Sequence, residues 1–113
     1  MDIYKIKNIL KDNISYIKKT YFVTDIGLFG SFTKGSQRED SDIDILVSFE
    51  KGHKDFFNYI RLKYYLEGLL KRKVDLVIKE ALKSGLKQKI LNEVINVQWK
   101  ELYYFSRRYF RGY

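Results

Sequence analysis

The sequence predicts one small α/β (α+β) domain in which a mixed β-sheet is flanked by helices. Its 113 residues, 45% of them hydrophobic, match the size and composition of a single domain with one packed core. Apolar residues recur with helical spacing in some segments and form short strand-like runs in others. Polar stretches that contain glycine separate several of these segments, as expected of loops and turns.

Three helices are predicted from the spacing of apolar side chains. Between Ile3 and Tyr21 such side chains recur every three or four residues, which indicates one amphipathic helix. The second helix is predicted for Asp55 to Leu70, with Asp55 as its N-cap. The third is predicted for Leu82 to Val94, and Gly85 is a place where it could bend.

Three strands are predicted, with the ranges Phe22 to Phe29, Asp42 to Phe49 and Lys73 to Lys79. Because side chains alternate along a strand, Ile43, Ile45 and Val47 should face one side of the sheet. Asp42 and Asp44 should then face the other side together. The order of elements is helix, strand, strand, helix, strand, helix, which is an α/β or α+β pattern.

Composition restricts the class of protein. There are no cysteines, so disulfides and zinc–thiolate sites are excluded. No apolar run approaches the ~20 residues of a membrane helix, and Met1 to Leu10 lacks the continuous apolar stretch of a signal peptide. We therefore expect a cytoplasmic protein. The formal charge of +8 favours anionic partners such as nucleotides, nucleic acid or an acidic protein, although composition bias could explain much of it.

The most informative pattern is Gly30-Ser31, ten further residues, and then Asp42-Ile43-Asp44, with a third carboxylate, Asp75, in the later apolar strand. Unpaired charges on buried strands are costly, and Mg²⁺ would compensate them because it takes carboxylate, phosphate and water oxygens as ligands. The pattern predicts two Mg²⁺ ions held by Asp42, Asp44 and Asp75, with ions ~3.5–4 Å apart. One ion would bind a triphosphate and the other would activate an attacking hydroxyl, whose proton Asp75 could accept.

The loop after the first predicted strand is a candidate phosphate-binding segment. Gly30 lets the backbone approach a phosphate closely, and Ser31 can offer its hydroxyl and its backbone N–H. Lys34 and Arg38 lie in the same loop and could neutralise phosphate charge. These four residues complete the predicted binding site for a triphosphate.

Each part of this pattern is weak by itself. A Gly-Ser after a strand is usually a turn, Asp-x-Asp is more often a solvated strand edge, and Asp75 could face water at an edge strand. The combination in this order and spacing is far more specific. His53, the only histidine, follows Gly52 in a predicted turn and is better explained as an exposed turn residue than as a catalytic base.

The segment GSFTKGSQREDSDID resembles the signature of minimal nucleotidyltransferases of the DNA polymerase β-like superfamily, and Asp75 in KVDLVI matches their third carboxylate. The resemblance covers roughly Ile3 to Val97 and implies a polymerase β-like nucleotidyltransferase fold. The segment ALKSGLKQKILNEVINV resembles the closing helix of small prokaryotic members. That subgroup resembles the antitoxin half of a toxin–antitoxin system. The resemblance implies a HEPN-domain ribonuclease as partner and transfer of AMP from ATP to a tyrosine of that toxin.

Four functions remain open at the level of sequence. The first is an AMP-transferring antitoxin, and the second is a small-molecule nucleotidyltransferase of the aminoglycoside-modifying type. The second usually needs a further domain for its acceptor, for which 113 residues leave little room. The third is an antitoxin that acts only by covering its toxin, which would not need three aspartates. The fourth, nucleic-acid binding, is a secondary property that charge suggests.

The last part of the chain differs in composition from the rest. We expect residues 1–97 to form the nucleotidyltransferase domain and residues 98–113 to form a C-terminal extension. The extension contains seven aromatic and four basic residues. A small domain cannot bury so many aromatic side chains, so we expect this extension to contact a toxin subunit or a second copy of the chain.

Overall fold

A computed structural model describes residues 2–30 and 41–98 of the chain. Its elements in order are α1 (Ile3–Asp12), α2 (Ile14–Tyr21), β1 (Val23–Phe29), β2 (Ile43–Phe49), α3 (Phe56–Leu70), β3 (Val74–Ile78), a short 3-10 helix (Lys79–Ala81), α4 (Ser84–Glu93) and β4 (Ile95–Gln98). No helix of these described residues is long and apolar enough to cross a membrane.

The described strands form one four-stranded sheet in the order β3-β2-β1-β4. Strand β1 runs antiparallel to both β2 and β4, whereas β2 and β3 are parallel. The parallel pair is connected through α3, as a parallel connection requires. The prediction of a small mixed sheet flanked by helices is therefore confirmed.

The two faces of the sheet are covered by different helices. Ile43, Ile45 and Val47 of β2 belong to the main apolar core, which also contains buried residues of α1, α2 and α3. On the other face, Leu46 packs with Ile90 of α4 in a smaller apolar cluster. The alternation predicted for β2 is confirmed, and the aspartate at position 44 therefore belongs to the α4 face.

The predicted single helix from Ile3 to Tyr21 is wrong, because the structure has two helices that meet at Asn13. The Asn13 side-chain amide donates to the Ile9 carbonyl at 2.8 Å, and its backbone N–H donates to the Leu10 carbonyl. Asparagine competes in this way for backbone groups that would otherwise continue the helix. The apolar spacing carries on through the break, so periodicity alone could not reveal it.

Further boundaries differ from the predictions. Strand β2 begins at Ile43 rather than Asp42, and β3 is shorter by one residue at each end than the predicted Lys73 to Lys79. Phe22 does not belong to β1 but ends α2 in the left-handed conformation, with φ of 57°. The last predicted helix, Leu82 to Val94, begins instead at Ser84, and Gly85 lies in its first turn. The segment before it forms the short 3-10 helix, whose turn is closed by a hydrogen bond from the Leu82 N–H to the Lys79 carbonyl.

Strand β4 is absent from the elements predicted by the sequence. Its four residues, Ile95–Gln98, are too few for alternation to stand out. They form a strand because β1 offers an edge, along which Leu28 is paired with Ile95 and Ile26 with Gln98. Gln98, predicted to open the extension, thus belongs to β4 and is the last residue that the structure describes. The remainder of the extension, residues 99–113, lies outside the described residues.

The prediction of Asp55 as the N-cap of α3 is confirmed, since its side chain accepts a hydrogen bond from the Asn58 N–H at 2.9 Å. Asn58 itself is buried and donates to two backbone carbonyls, that of Tyr21 at 2.7 Å and that of His53 at 3.0 Å. The start of α3 is therefore connected to the end of α2 and to the turn that follows β2.

Candidate active site

Three strands bring the predicted site residues to one end of the sheet. Strand β1 ends there and leads into Gly30, while β2 and β3 both begin there. Asp44 of β2 is paired with Phe29 of β1 on one side and with Asp75 of β3 on the other. Residues distant in sequence thus become neighbours through strand pairing.

Asp44 and Asp75 are directly opposite each other in the parallel ladder. Neighbouring strands lie about 4.8 Å apart, so two such side chains project from the same face of the sheet. Asp44 is half-buried and Asp75 is exposed. Carboxylates at paired positions of two neighbouring strands are a donor set that suits a bound cation.

Asp42 lies just before β2, two residues from Asp44, and is exposed. Among residues 2–30 and 41–98, no three His, Cys, Asp or Glu side chains are close enough together to form a metal-binding group by themselves. The structure therefore brings Asp44 and Asp75 together but does not bring Asp42 into a complete three-carboxylate group with them.

This arrangement fits a magnesium ion of the kind that binds with a nucleotide. Mg²⁺ usually takes one or two carboxylates from the protein and its other ligands from phosphates and water. Asp44 and Asp75, at paired positions of β2 and β3, supply that donor type at a solvent-accessible end of the sheet. A complete protein cage is not required.

Gly30 is in close contact with Asp44. It has a φ of +77°, a conformation that favours glycine. A Cβ atom at this position would overlap Oδ2 of Asp44 and would lie 2.7 Å from its Cγ. The missing side chain of Gly30 is therefore what leaves room for the Asp44 carboxylate.

The other predicted nucleotide-binding residues, Ser31, Lys34 and Arg38, lie outside the described residues. Gly30 immediately precedes them and Ser41 follows the gap, so both ends of this segment are at the same end of the sheet as Asp44. Their role remains a prediction.

Two residues near the site carry no signal in the sequence that would single them out. The Arg72 guanidinium donates a short hydrogen bond to the carbonyl of Ser41, which precedes Asp42. A carboxylate oxygen of Glu67 accepts from the N–H of Val74, which precedes Asp75, at 3.0 Å. Neither residue belongs to a recognisable motif, and only the fold shows that both reach the strands that carry the aspartates.

His53 lies beyond the opposite end of β2 and cannot serve this site. Its N–H donates to the Glu50 carbonyl at 3.0 Å, consistent with the predicted turn. The ring is half-buried rather than exposed, because it stacks on Phe22 with ring centroids 3.8 Å apart. Its location supports the interpretation that it is not a catalytic base.

Comparison with protein families identifies the class to which this fold and site belong. Residues 3–97 match the nucleotidyltransferase domain family, and the chain is a member of that family. The match covers the Gly30-Ser31 segment and all three aspartates. It ends within β4.

More specific relatives point to the minimal nucleotidyltransferases. The chain is 43% identical over 93 residues to the protein adenylyltransferase MntA of Thermococcus cleftensis, covering 82% of this chain and 93% of that protein. Among solved structures it resembles one described as a minimal nucleotidyltransferase, with a TM-score of 0.72 and 35% identity over 84% of this chain and 95% of the other. It also resembles a chain of a toxin–antitoxin complex crystallised with AMP-PNP, with a TM-score of 0.66 and 26% identity over 80% and 73% of the two chains.

Proposed function

We propose that this protein is an antitoxin that transfers AMP from ATP to a tyrosine of a cognate HEPN ribonuclease toxin. The observation that carries the proposal is the in-register pair Asp44 and Asp75 beside Gly30. The similarity to the MntA adenylyltransferase of Thermococcus cleftensis supports protein as the acceptor. The toxin–antitoxin neighbour with AMP-PNP supports an adenine nucleotide as the donor.

In this proposal Asp42, Asp44 and Asp75 hold two Mg²⁺ ions together with the phosphates of ATP. The metal supplies charge stabilisation at the triphosphate and makes the attacking hydroxyl more acidic. Asp75 is the most suitable proton acceptor because it is exposed and adjacent to Asp44.

The reaction exchanges the phosphoanhydride bond between the α- and β-phosphates of ATP for a phosphodiester bond to tyrosine. The tyrosine oxygen forms a bond to the α-phosphorus of ATP, and the bond from that phosphorus to the bridging oxygen breaks. Pyrophosphate leaves, and the phenolic proton passes to the Asp75 carboxylate. Catalysis then depends mainly on positioning and on neutralising charge, as is general for phosphoryl transfer.

Gly30, Ser31, Lys34 and Arg38 are proposed to bind the triphosphate. Gly30 supports this role because its backbone turns without a side chain next to Asp44. Ser31 would donate from its hydroxyl and its N–H, and the two basic residues would balance phosphate charge. The segment would place ATP between its own backbone and the two aspartates.

The decisive experiment combines the protein with Mg²⁺, labelled ATP and the product of the neighbouring gene, and follows label on protein. We expect label on the partner, and loss of labelling with Asp44→Asn or Asp75→Asn because each removes a charged metal ligand. Asp12→Asn is the matched control, since Asp12 is exposed at the end of α1. Circular dichroism would check that all variants are folded.

The outcomes separate the competing functions. Wild-type labelling by Asp44→Asn would refute the site assignment. If the Asp44→Asn protein still inhibits its partner but no longer labels it, the protein acts as a purely steric antitoxin. Label on an aminoglycoside or another small molecule, but not on protein, would favour the small-molecule nucleotidyltransferase.

A further inference from the structure

The connection between α3 and β3 makes contacts that reach both aspartate-bearing strands. Arg72, in this connection, donates to the Ser41 carbonyl directly before Asp42. The next residue, Lys73, accepts at its carbonyl from the Ile43 N–H at 2.9 Å. Together these bonds join the start of β2 to the residues that lead into β3.

These contacts lie at the end of the sheet, where strand pairing restrains the backbone least. Asp42 precedes the first residue of β2, so strand pairing does not fix its position. The paired ladder begins at Ile43 and Val74, and the ends of paired elements open more easily than their centres. The side-chain bond from Arg72 to the Ser41 carbonyl therefore adds a restraint just before the point where strand pairing begins.

Arginine suits this task for physical reasons. Its planar guanidinium presents several donors in a fixed geometry, so it can hold a carbonyl while its other N–H groups make further contacts. Arg72 is half-buried, which strengthens its hydrogen bond compared with one in bulk water.

We propose that Arg72 is a positioning residue that holds Asp42 and Asp44 in place for metal binding and keeps them aligned with Asp75. This inference rests on the proposed metal site. Arg72 acts through the Ser41 backbone and does not itself need to contact a metal ion or the nucleotide. Glu67 supports the other side of the junction by accepting from the Val74 N–H.

The test uses the full chain with Arg72→Met, which removes the donors, and Arg72→Lys, which keeps one charged donor. Lys19→Met is the matched control, because it removes an exposed positive charge from α2. Helix α2 leads into the start of β1, whereas the aspartates lie near the end of β1. Three quantities are measured: amide hydrogen exchange in the metal-free protein by NMR, the affinity for Mn²⁺ alone by calorimetry, and the rate of AMP transfer.

Arg72→Met should accelerate amide exchange at Ile43 while Val47, in the centre of the same strand, keeps its rate. Its affinity for Mn²⁺ and its transfer rate should each fall by ~10–100-fold, the usual effect of losing a residue that orients metal ligands. Arg72→Lys should recover most of both losses, and Lys19→Met should match the wild type. If Arg72→Met does not fold, a smaller loss of the same kind in Arg72→Lys carries the test.

Wild-type Mn²⁺ affinity and wild-type Ile43 exchange in Arg72→Met would overturn the inference. The same holds if ATP affinity falls while those two quantities stay unchanged, because Arg72 would then act on the nucleotide directly. Such results leave the proposed function intact as long as the wild type binds Mn²⁺ and transfers AMP. A wild-type protein that does neither overturns both proposals.

Discussion

Gly30 determines the space available to Asp44. Two properties coincide there: a positive φ and the close approach of the Asp44 carboxylate. Gly52 has a φ of +88° but nothing within 4 Å of the place where its Cβ would lie. A substitution at either glycine strains the backbone, but only one at Gly30 also crowds Asp44. Comparing the two substitutions therefore distinguishes the effect of backbone strain from the effect of crowding at the site.

Gly52→Ala should lower the free energy of unfolding by roughly 1–2 kcal/mol, the cost of a left-handed conformation for a residue with a Cβ, and should leave AMP transfer unchanged. Gly30→Ala should also displace Asp44 from Asp75, so transfer should fall by about 10²-fold. Urea unfolding and the labelling assay measure the two effects. Equal transfer rates in the two variants would show that the Gly30–Asp44 contact has no catalytic consequence.

Asn58 connects three elements through backbone groups. It lies in the first turn of α3, and its side-chain amide bonds the last residue of α2 and the turn after β2. Because it is buried, removing it would leave two carbonyl oxygens without this donor. The contact is remote from Asp44, at the other end of β2.

Asn58→Leu should therefore lower the free energy of unfolding by about 1–3 kcal/mol. The transfer rate per folded molecule should not change. Asn92→Ala is the control, since Asn92 is exposed on α4 and surface substitutions usually change stability by less than ~0.5 kcal/mol. An Asn58→Leu protein as stable as the wild type would mean that these hydrogen bonds contribute nothing net.

Helices α2 and α3 meet at a tyrosine cluster formed by Tyr16, Tyr21 and Tyr65. The ring of Tyr65 lies 5.1 Å from that of Tyr16 and 5.4 Å from that of Tyr21, centroid to centroid. Burial raises the pKa of Tyr21, Tyr16 raises it further, and the guanidinium of Arg61 over the Tyr21 ring acts in the opposite direction. Burial, followed by Tyr16, also raises the pKa of Tyr65.

These shifts predict a loss of stability at alkaline pH. In the unfolded chain a tyrosine ionises near pH 10, whereas the folded protein keeps Tyr21 and Tyr65 protonated to higher pH. The stabilisation is fully present below pH ~10 and is lost as the pH rises through the raised folded pKa values. Tyr16→Phe should lower the pKa of Tyr21, measured by NMR of labelled tyrosine rings. With Tyr4→Phe as control, an unchanged Tyr21 titration in Tyr16→Phe would contradict this account.

At the scale of the whole molecule, β4 is an edge strand of the described sheet, and the extension follows it in sequence. Val97 is buried in the main core, and Ile95 packs against that core. The domain should therefore need the chain through Gln98 in order to fold. We propose that residues 99–113 instead serve contact with a partner, because aromatic and arginine side chains are enriched at binding hot spots.

A protein ending at Gln98 should keep its fold and its melting temperature, whereas one ending at Val94 should be strongly destabilised because it lacks β4. The folded protein that ends at Gln98 should bind the proposed toxin partner more weakly than the full chain does, as measured by calorimetry. If binding to the extension is mainly apolar it should hardly depend on salt, whereas nucleic-acid binding should weaken steeply as salt rises. Full-strength binding and labelling without residues 99–113 would show that they are not the partner-binding element.

The sequence by itself determined the types of most elements and the residues worth testing. Apolar spacing identified the helical segments and the three longer strands, although not the break between α1 and α2 at Asn13, because burial on one face imposes its period on the chain. Alternation along β2 assigned Asp44 to the face opposite Ile43 and Ile45, since neighbouring side chains of any strand point to opposite sides. The N-cap at Asp55 was also predictable, since it depends only on neighbours in sequence.

Only the tertiary structure decided which residues these side chains and strands lie next to. The parallel register of β2 and β3 sets Asp44 beside Asp75, and register depends on contacts between distant segments that no local pattern encodes. Strand β4 likewise depends on a distant segment, because it forms by pairing with the edge of β1. The contact of Arg72 does too, because its partner Ser41 precedes another strand. Local spacing thus specifies which residues are suited to a site, while packing between distant segments determines which of them come together.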